Sequence, residues 1–338
     1  MRSHARTVII VVITVALLAF FFRDANFTEV WAETRRANPW LLAAAVVVTG
    51  MTYGFRAWRW QSLLAPIGET HFGNAFRTTV IGFAASFILP ARAGEVIRPY
   101  LLARKEGLRP TAAFATIILE RLLDLAMVLL LFGLFVFTVP AGVLTGDASQ
   151  LAHVKFWGGV AAGAAVTSLG VLFALAGHPE RLGRAAGRIE RVLPARGAQI
   201  VAHFVETFAQ GLAVMRRPGR LAVALLQSVP IWLSIAAGIW LTSQAFSITF
   251  PYTGSFLVMT LLVVGVAVPT PGQIGGFHAA YQIAVQTFFG VPDDRAVGAA
   301  IVLHAVSFLP VTLLGLYFMA REGLTFQNAH ELASSGTS

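Results

Sequence analysis

Residues 74–104 read NAFRTTVIGFAASFILPARAGEVIRPYLLAR. The apolar run from Asn74 to Leu89 is only about three or four helical turns long, short of the roughly 20 residues that cross a bilayer as a helix. It stops at Pro90-Ala91-Arg92-Ala93-Gly94-Glu95, where proline removes a backbone donor and glycine frees the chain to turn. A second short helical piece, Val96 to Arg104, follows. The same pattern recurs later: Gly254 to Val268 ends at Pro269-Thr270-Pro271-Gly272-Gln273-Ile274-Gly275-Gly276, and Phe277 to Phe289 follows. Each pair is expected to form a helical hairpin that enters a membrane and turns back, its broken backbone facing protein or a cavity and not lipid.

The rest of the chain supplies the membrane. Of its 338 residues 57% are hydrophobic and 12% charged, and the mean hydropathy is +0.72, a composition foreign to soluble globules. Continuous apolar runs, without the alternation of a barrel strand, predict an all-α polytopic protein. Full spans are expected at Val8–Phe22, Trp40–Trp60, Ala112–Thr138, Phe156–Leu175, Leu221–Phe246 and Val297–Ala320. The first resembles a signal peptide behind Arg2 and Arg6, but Phe20-Phe21-Phe22-Arg23 offers no small-residue cleavage site, so an uncleaved span is expected. The formal charge of +9 is read as orientation by cytoplasmic Lys and Arg and not as affinity for nucleic acid. Cysteine is absent, which excludes a disulfide framework and thiolate metal sites.

Charge placement gives a path. Arg59 and Arg77 stand near the start of the first hairpin and Arg104, Lys105 and Arg109 near its end, so both its ends prefer the cytoplasmic side. The 140–152 loop holds Asp147 and no Lys or Arg, whereas 177–220 is rich in arginine. Both termini then fall in the cytoplasm, and the second hairpin enters from outside. About six full spans and two re-entrant hairpins form an inverted repeat, with halves 1–139 and 154–320 in one membrane domain, 1–320. An alternative reading makes the weak stretches ordinary short spans, without inversion. Segment 177–220 is expected to lie on the interface, its arginines toward anionic lipid headgroups, or else to be a solvated connector. Residues 321–338 read as a cytoplasmic, disordered tail.

Six ionisable residues fall at membrane depth on this path: Arg92, Glu95 and Arg98 at the first break, and Glu120, Arg121 and Asp124 inside a span. Charges there cost a few kcal/mol each and should face a cavity or one another. Glu120 and Asp124 share a helical face and need opposing cations, expected to be Arg92 and Arg98. The six are candidates for substrate binding, or a mutually neutralised network that holds the hairpin to the span. At the second break, Gly272 and Gly275 would let backbone amides approach an anion. His278 and His304 are minor candidates, lone histidines on apolar faces being commonly packing residues. Arg59, with Arg56, is read chiefly as an interface anchor beside Trp58 and Trp60. No hydrolase, metalloprotease or nucleotide-binding signature is present, and no catalytic residue, metal site or cofactor is expected.

At these motifs the chain resembles the flippase-like membrane domain of the lysylphosphatidylglycerol synthase transmembrane family, including its stand-alone bacterial members. The matching residues are Arg59-Trp60, Leu89-Pro90-Ala91-Arg92-Ala93-Gly94-Glu95 with Arg98, Glu120-Arg121-Leu122-Leu123-Asp124, and Pro269-Thr270-Pro271-Gly272 continuing to Ile274-Gly275. Gln273 stands where relatives often have Gly, and His278 where they often have Glu. The resemblance covers about Val8 to Ala320 and lacks the large aminoacyltransferase domain of full-length synthases. It implies an inner-membrane lipid flippase or transporter, with phospholipids, polyprenyl-linked sugars or hopanoids as candidate substrates. An intramembrane enzyme acting on a lipid, or an envelope scaffold that transports nothing, are the other expectations.

Overall fold

The computed structural model describes residues 26–89, 92–139, 218–267 and 270–323, with scattered positions between 143 and 170. The expected span Val8–Phe22, most of Phe156–Leu175, segment 177–220 up to its last three residues, and the tail from 324 lie outside the described residues. Nine α-helices have their bounds there: α1 Phe27–Arg36, α2 Pro39–Leu64, α3 Phe72–Ile88, α4 Gly94–Glu106, α5 Pro110–Thr138, α6 Pro218–Ala245, α7 Gly254–Ala267, α8 Gly276–Phe289 and α9 Asp293–Arg321. The described residues include no strand.

Most helices begin one to four residues earlier than hydropathy suggests, because a first turn is specified by capping and not by apolarity. The Asn38 side chain accepts from the Trp40 and Leu41 amides while Pro39 takes the first helical position, and Pro110 opens α5 in the same way. Three helices, Pro39–Leu64, Gly219–Ala245 and Asp293–Arg321, are long and apolar enough to cross a membrane. α5 is as long as α9, at 29 residues, but carries Glu120, Arg121 and Asp124 in its middle.

Both weak stretches fold back at the expected breaks. At the open end of α3–α4 the Glu106 carboxylate accepts from the His71 amide at 3.0 Å and from Asn74 Nδ2 at 2.9 Å, so the start of α3 lies beside the end of α4. A Cβ on Gly94 would sit 1.8 Å from the Gly82 carbonyl oxygen; only glycine lets these backbones touch. The α7–α8 pair repeats the device, since a Cβ on Gly265 would lie 2.4 Å from the Gly276 carbonyl oxygen and one on Gly254 3.2 Å from the Phe289 ring.

The two pairs open at opposite ends of α9. Lys105 of α4 pairs with Glu322 just past the C-terminus of α9. Gln282 and Gln286 of α8 donate to Asp293 at its N-terminus, at 2.5 and 2.6 Å. Their closed tips meet part-way along the bundle, where Arg92 donates to the Val266 carbonyl at 2.7 Å. α2 and α6 pack against each other through small and hydroxylated residues: Thr52 and Ser234 share a hydrogen bond of 2.8 Å, and a Cβ on Gly238 would come within 2.6 Å of Thr49 Oγ1. α1 was not anticipated from hydropathy. It buries Val30, exposes Phe27 and Trp31, and is tied by Glu33 to Arg295 at 2.9 Å.

Candidate functional site

The helix tips and the middle of α5 bring the expected charges together. Asp124 is the central residue of α5, and Glu120 lies one turn nearer its start on the same face. Arg98, on the second turn of α4, donates to Glu120 at 3.0 Å and has its guanidinium carbon over the Trp60 ring, 3.8 Å from its centre. Arg121 reaches Glu95 at 3.4 Å and Asp124 at 3.7 Å. Arg92 is 3.8 Å from Glu95.

Three expectations need correction. Arg56 and Arg59 are not interface anchors: Arg59 is wholly buried and Arg56 only 6% exposed. Arg59 holds Asp124 at 2.7 Å and Glu120 at 3.5 Å, and Arg56 holds them at 3.3 and 3.8 Å. Arg59 also donates to Ser228, and Trp232 Nε1 donates to Asp124 at 3.1 Å, which ties α6 into the cluster. Accordingly Arg92 does not oppose Glu120 and Asp124; its partners are Glu95 and the second tip. The cluster is therefore not three cations against three anions. Five arginines, 56, 59, 92, 98 and 121, meet three carboxylates, 95, 120 and 124, leaving two positive charges over.

Arg56, Arg92, Arg98, Arg121, Glu95 and Asp124 line a cavity of about 390 Å³ where the two tips meet α2, α5, α6 and α9. Its remaining wall is largely apolar, with Phe83, Leu125, Val128, Ile235, Leu262 and Phe308 among the contributors. Leu125 is 53% exposed, so that wall continues onto the outer face of α5. Nε and Nη2 of Arg98 and Nε of Arg121 are buried without a hydrogen-bond partner, an unusual state for groups of such donor capacity.

The second break contributes differently from expectation. Gly272 and Gly275 shape the turn, with φ of 61° and 90°, and it is Gln273 that reaches the cavity wall. Gln273 adopts φ 59°, the left-handed region glycine occupies without steric cost. His278 and His304 are not isolated. Their rings stack with centres 4.7 Å apart, the Gly275 amide donates to His278 Nδ1 at 3.4 Å, and His304 Nε2 donates to the Gly272 carbonyl at 2.9 Å. The pair braces the turn; neither ring lines the cavity. Among the described residues no group of three or more His, Cys, Asp or Glu is arranged to hold a metal.

A sequence model of the lysylphosphatidylglycerol synthase TM region matches residues 7–315, most of the chain. Glycosyltransferase AglD of Haloferax volcanii is 26% identical over 90% of this chain and 52% of its own length. The chain thus spans about half of that relative. UPF0104 membrane proteins of Methanocaldococcus jannaschii and Methanothermobacter thermautotrophicus are each 24% identical, over 83% and 91% of this chain and 84% and 93% of theirs.

Proposed function

Because the chain belongs to the lysylphosphatidylglycerol synthase transmembrane family, we propose that it moves a lipid between the leaflets of a cytoplasmic membrane. The observation that carries this reading is the cavity with one arginine-rich wall and one apolar wall, set where two broken helix pairs meet. A charged headgroup cannot cross hydrocarbon without a large desolvation cost. Arg92, Arg98 and Arg121 would bind it through forked guanidinium donors, Glu95, Glu120 and Asp124 would hold those arginines in place, and the apolar wall would follow the chains.

In this reading α3–α4 and α7–α8 are re-entrant hairpins from opposite sides, and α2 to α5 and α6 to α9 are inverted halves. The basic end of the first hairpin, with Arg77, Arg104, Lys105 and Arg109, faces the cytoplasm. The arginines of the 177–220 sequence would attract anionic headgroups on that side.

Proteoliposomes carrying fluorescent phospholipids test the proposal. Protein-dependent flipping is expected, reduced at least about tenfold in Arg98→Gln and Arg92→Ala, since each removes a charge-assisted contact. Flipping by the wild type at the rate of empty liposomes, across phospholipid and polyprenyl-phosphate probes, would refute it. The glycosyltransferase name of the Haloferax relative supports a second reading, group transfer on a lipid; mass spectrometry of a lipid extract after incubation would then find a new mass.

A further inference from the structure

We infer that the headgroup held in this cavity is dianionic, a phosphomonoester or pyrophosphate-type group, and not the singly charged diester or zwitterion of common phospholipids. That the ligand is a lipid rests on the transport reading above; its charge rests on the arginine cluster alone.

The excess appears twice. The whole cluster counts five arginines against three carboxylates. The cavity lining alone counts four, Arg56, Arg92, Arg98 and Arg121, against Glu95 and Asp124. Arg59 and Glu120, behind the wall and wholly buried, cancel each other. Either way two positive charges are unmatched. Unmatched charge at low dielectric is costly, and an anion of the same count removes that cost. A monoanion would leave one guanidinium unbalanced.

Geometry selects phosphate as the chemistry. The four arginines approach from three directions: Arg56 from α2, Arg92 and Arg98 from the first hairpin, Arg121 from α5. A tetrahedral group with three terminal oxygens can take forked donors from three sides, whereas a diester presents two. The unpartnered Nε and Nη2 of the 3%-exposed Arg98 are donors already desolvated for such a ligand. Gly94 and Glu95, the first turn of α4, also border the cavity, so the positive end of that half-helix adds to the same field.

The ligand's own titration provides the test. A phosphomonoester loses its second proton near pH 6, so it is a dianion at about pH 7.5 and a monoanion at about pH 5. The titratable and charged groups facing it are Tyr53 and Arg56 from α2, Arg92, Glu95 and Arg98 from the first hairpin, and Arg121 and Asp124 from α5; α6, α7, α8 and α9 present none. Any titration of the protein itself is measured by a diester control at both pH values.

Binding to the full chain in detergent would be compared for phosphatidate, phosphatidylglycerol and phosphatidylethanolamine of equal acyl length, with inorganic phosphate as competitor. Phosphatidate should bind about tenfold tighter than phosphatidylglycerol at the higher pH, the gain expected of one added charge-assisted contact. That preference should vanish at the lower pH. Arg98→Gln should erase it by weakening phosphatidate binding more than phosphatidylglycerol binding; Arg121→Gln, at a half-exposed position, serves if the first variant does not fold. Displacement of lipid by inorganic phosphate at equal concentration would identify free phosphate as the ligand source. Equal affinity for monoester and diester, or a preference indifferent to pH, overturns the inference. Tight phosphatidate binding without flipping of any probe would instead overturn the transport reading and leave this one standing.

Discussion

Replacing Asp124 by Asn keeps the shape of the side chain and removes only its charge. In the wild type that charge lies 2.7 Å from Arg59, 3.3 Å from Arg56 and 3.7 Å from Arg121. Arg59 is wholly buried and cannot recruit water. Removing one partner of a buried ion pair costs about 3–5 kcal/mol, most of it the penalty of the stranded charge. Two features place Asp124→Asn near the lower figure: Glu120 remains 3.5 Å from Arg59, and half-exposed Arg121 can turn toward solvent. A loss of about 3 kcal/mol is therefore expected. If stranding is the cause, removing the stranded group should recover part of it, and Asp124→Asn with Arg59→Gln should be about 2 kcal/mol more stable than the sum of the single effects. Denaturant titration of detergent-solubilised protein, followed by tryptophan fluorescence, measures all three variants. Stability of Asp124→Asn within about 0.5 kcal/mol of wild type, or strict additivity in the double variant, would refute the reasoning.

Gly94→Ala should lower stability by about 3 kcal/mol or prevent folding, since its Cβ would meet the Gly82 oxygen at 1.8 Å and the Ser86 amide nitrogen at 2.7 Å, beyond ordinary overpacking; the same titration reads it. Gln273→Gly should raise stability by up to about 1 kcal/mol by relieving a left-handed side-chain residue, and thermal unfolding in detergent would show a higher midpoint. Glu106, at the open end of the first hairpin and outside the three helices long and apolar enough to cross a membrane, has its carboxyl pushed up by burial but pulled further down by hydrogen bonds from Asn74 and His71, to a net value below its ordinary 4.5. A folded value below the unfolded one stabilises above pH 4.5 and is lost as pH falls through the lowered value. Acid unfolding curves of wild type should thus fall more steeply below pH 4.5 than those of Glu106→Gln; parallel curves would contradict this.

The breaks in the two weak apolar stretches were legible because proline and glycine act locally, and residues 90–95 and 269–276 state their own geometry. The charges of α5 were legible for a related reason: Glu120 and Asp124 stand inside an apolar run where nothing local can satisfy them. Arg56 and Arg59 obeyed the same logic and were misread, because Trp58 and Trp60 beside them imitate an interfacial belt. Their helical phase held a usable signal, since Thr52, Arg56, Arg59 and Leu63 recur at three- and four-residue steps on one face, and all four are buried. What no local reading supplies is the partner, for Arg59 meets Asp124 across 65 positions and Ser228 across 169. Nor could the stacking of His278 on His304 be read, because it depends on how α8 leans against α9. α1 escaped because its hydropathy is too low to suggest a membrane element and its cap, the Asn26 side chain accepting from the Thr28 amide, is a two-residue feature.

Whether the arginine cluster is glue or machinery can be argued from the other half of the molecule. The second hairpin has the same construction as the first: a glycine crossing, a left-handed tip and an open end beside α9. It is held to the bundle through hydrogen bonds, with Tyr281 to Ser243 at 2.8 Å and Gln282 and Gln286 to Asp293, and through packing of Phe277 on His304 and Phe308. A hairpin of this shape therefore docks without a nest of arginines. Five of them around the first hairpin, two in excess of their counterions and with several of their nitrogens lacking hydrogen-bond partners, exceed what docking requires and are costly unless a ligand completes them. Glue would be expected to balance its own charge; a binding site leaves that balance to what it binds.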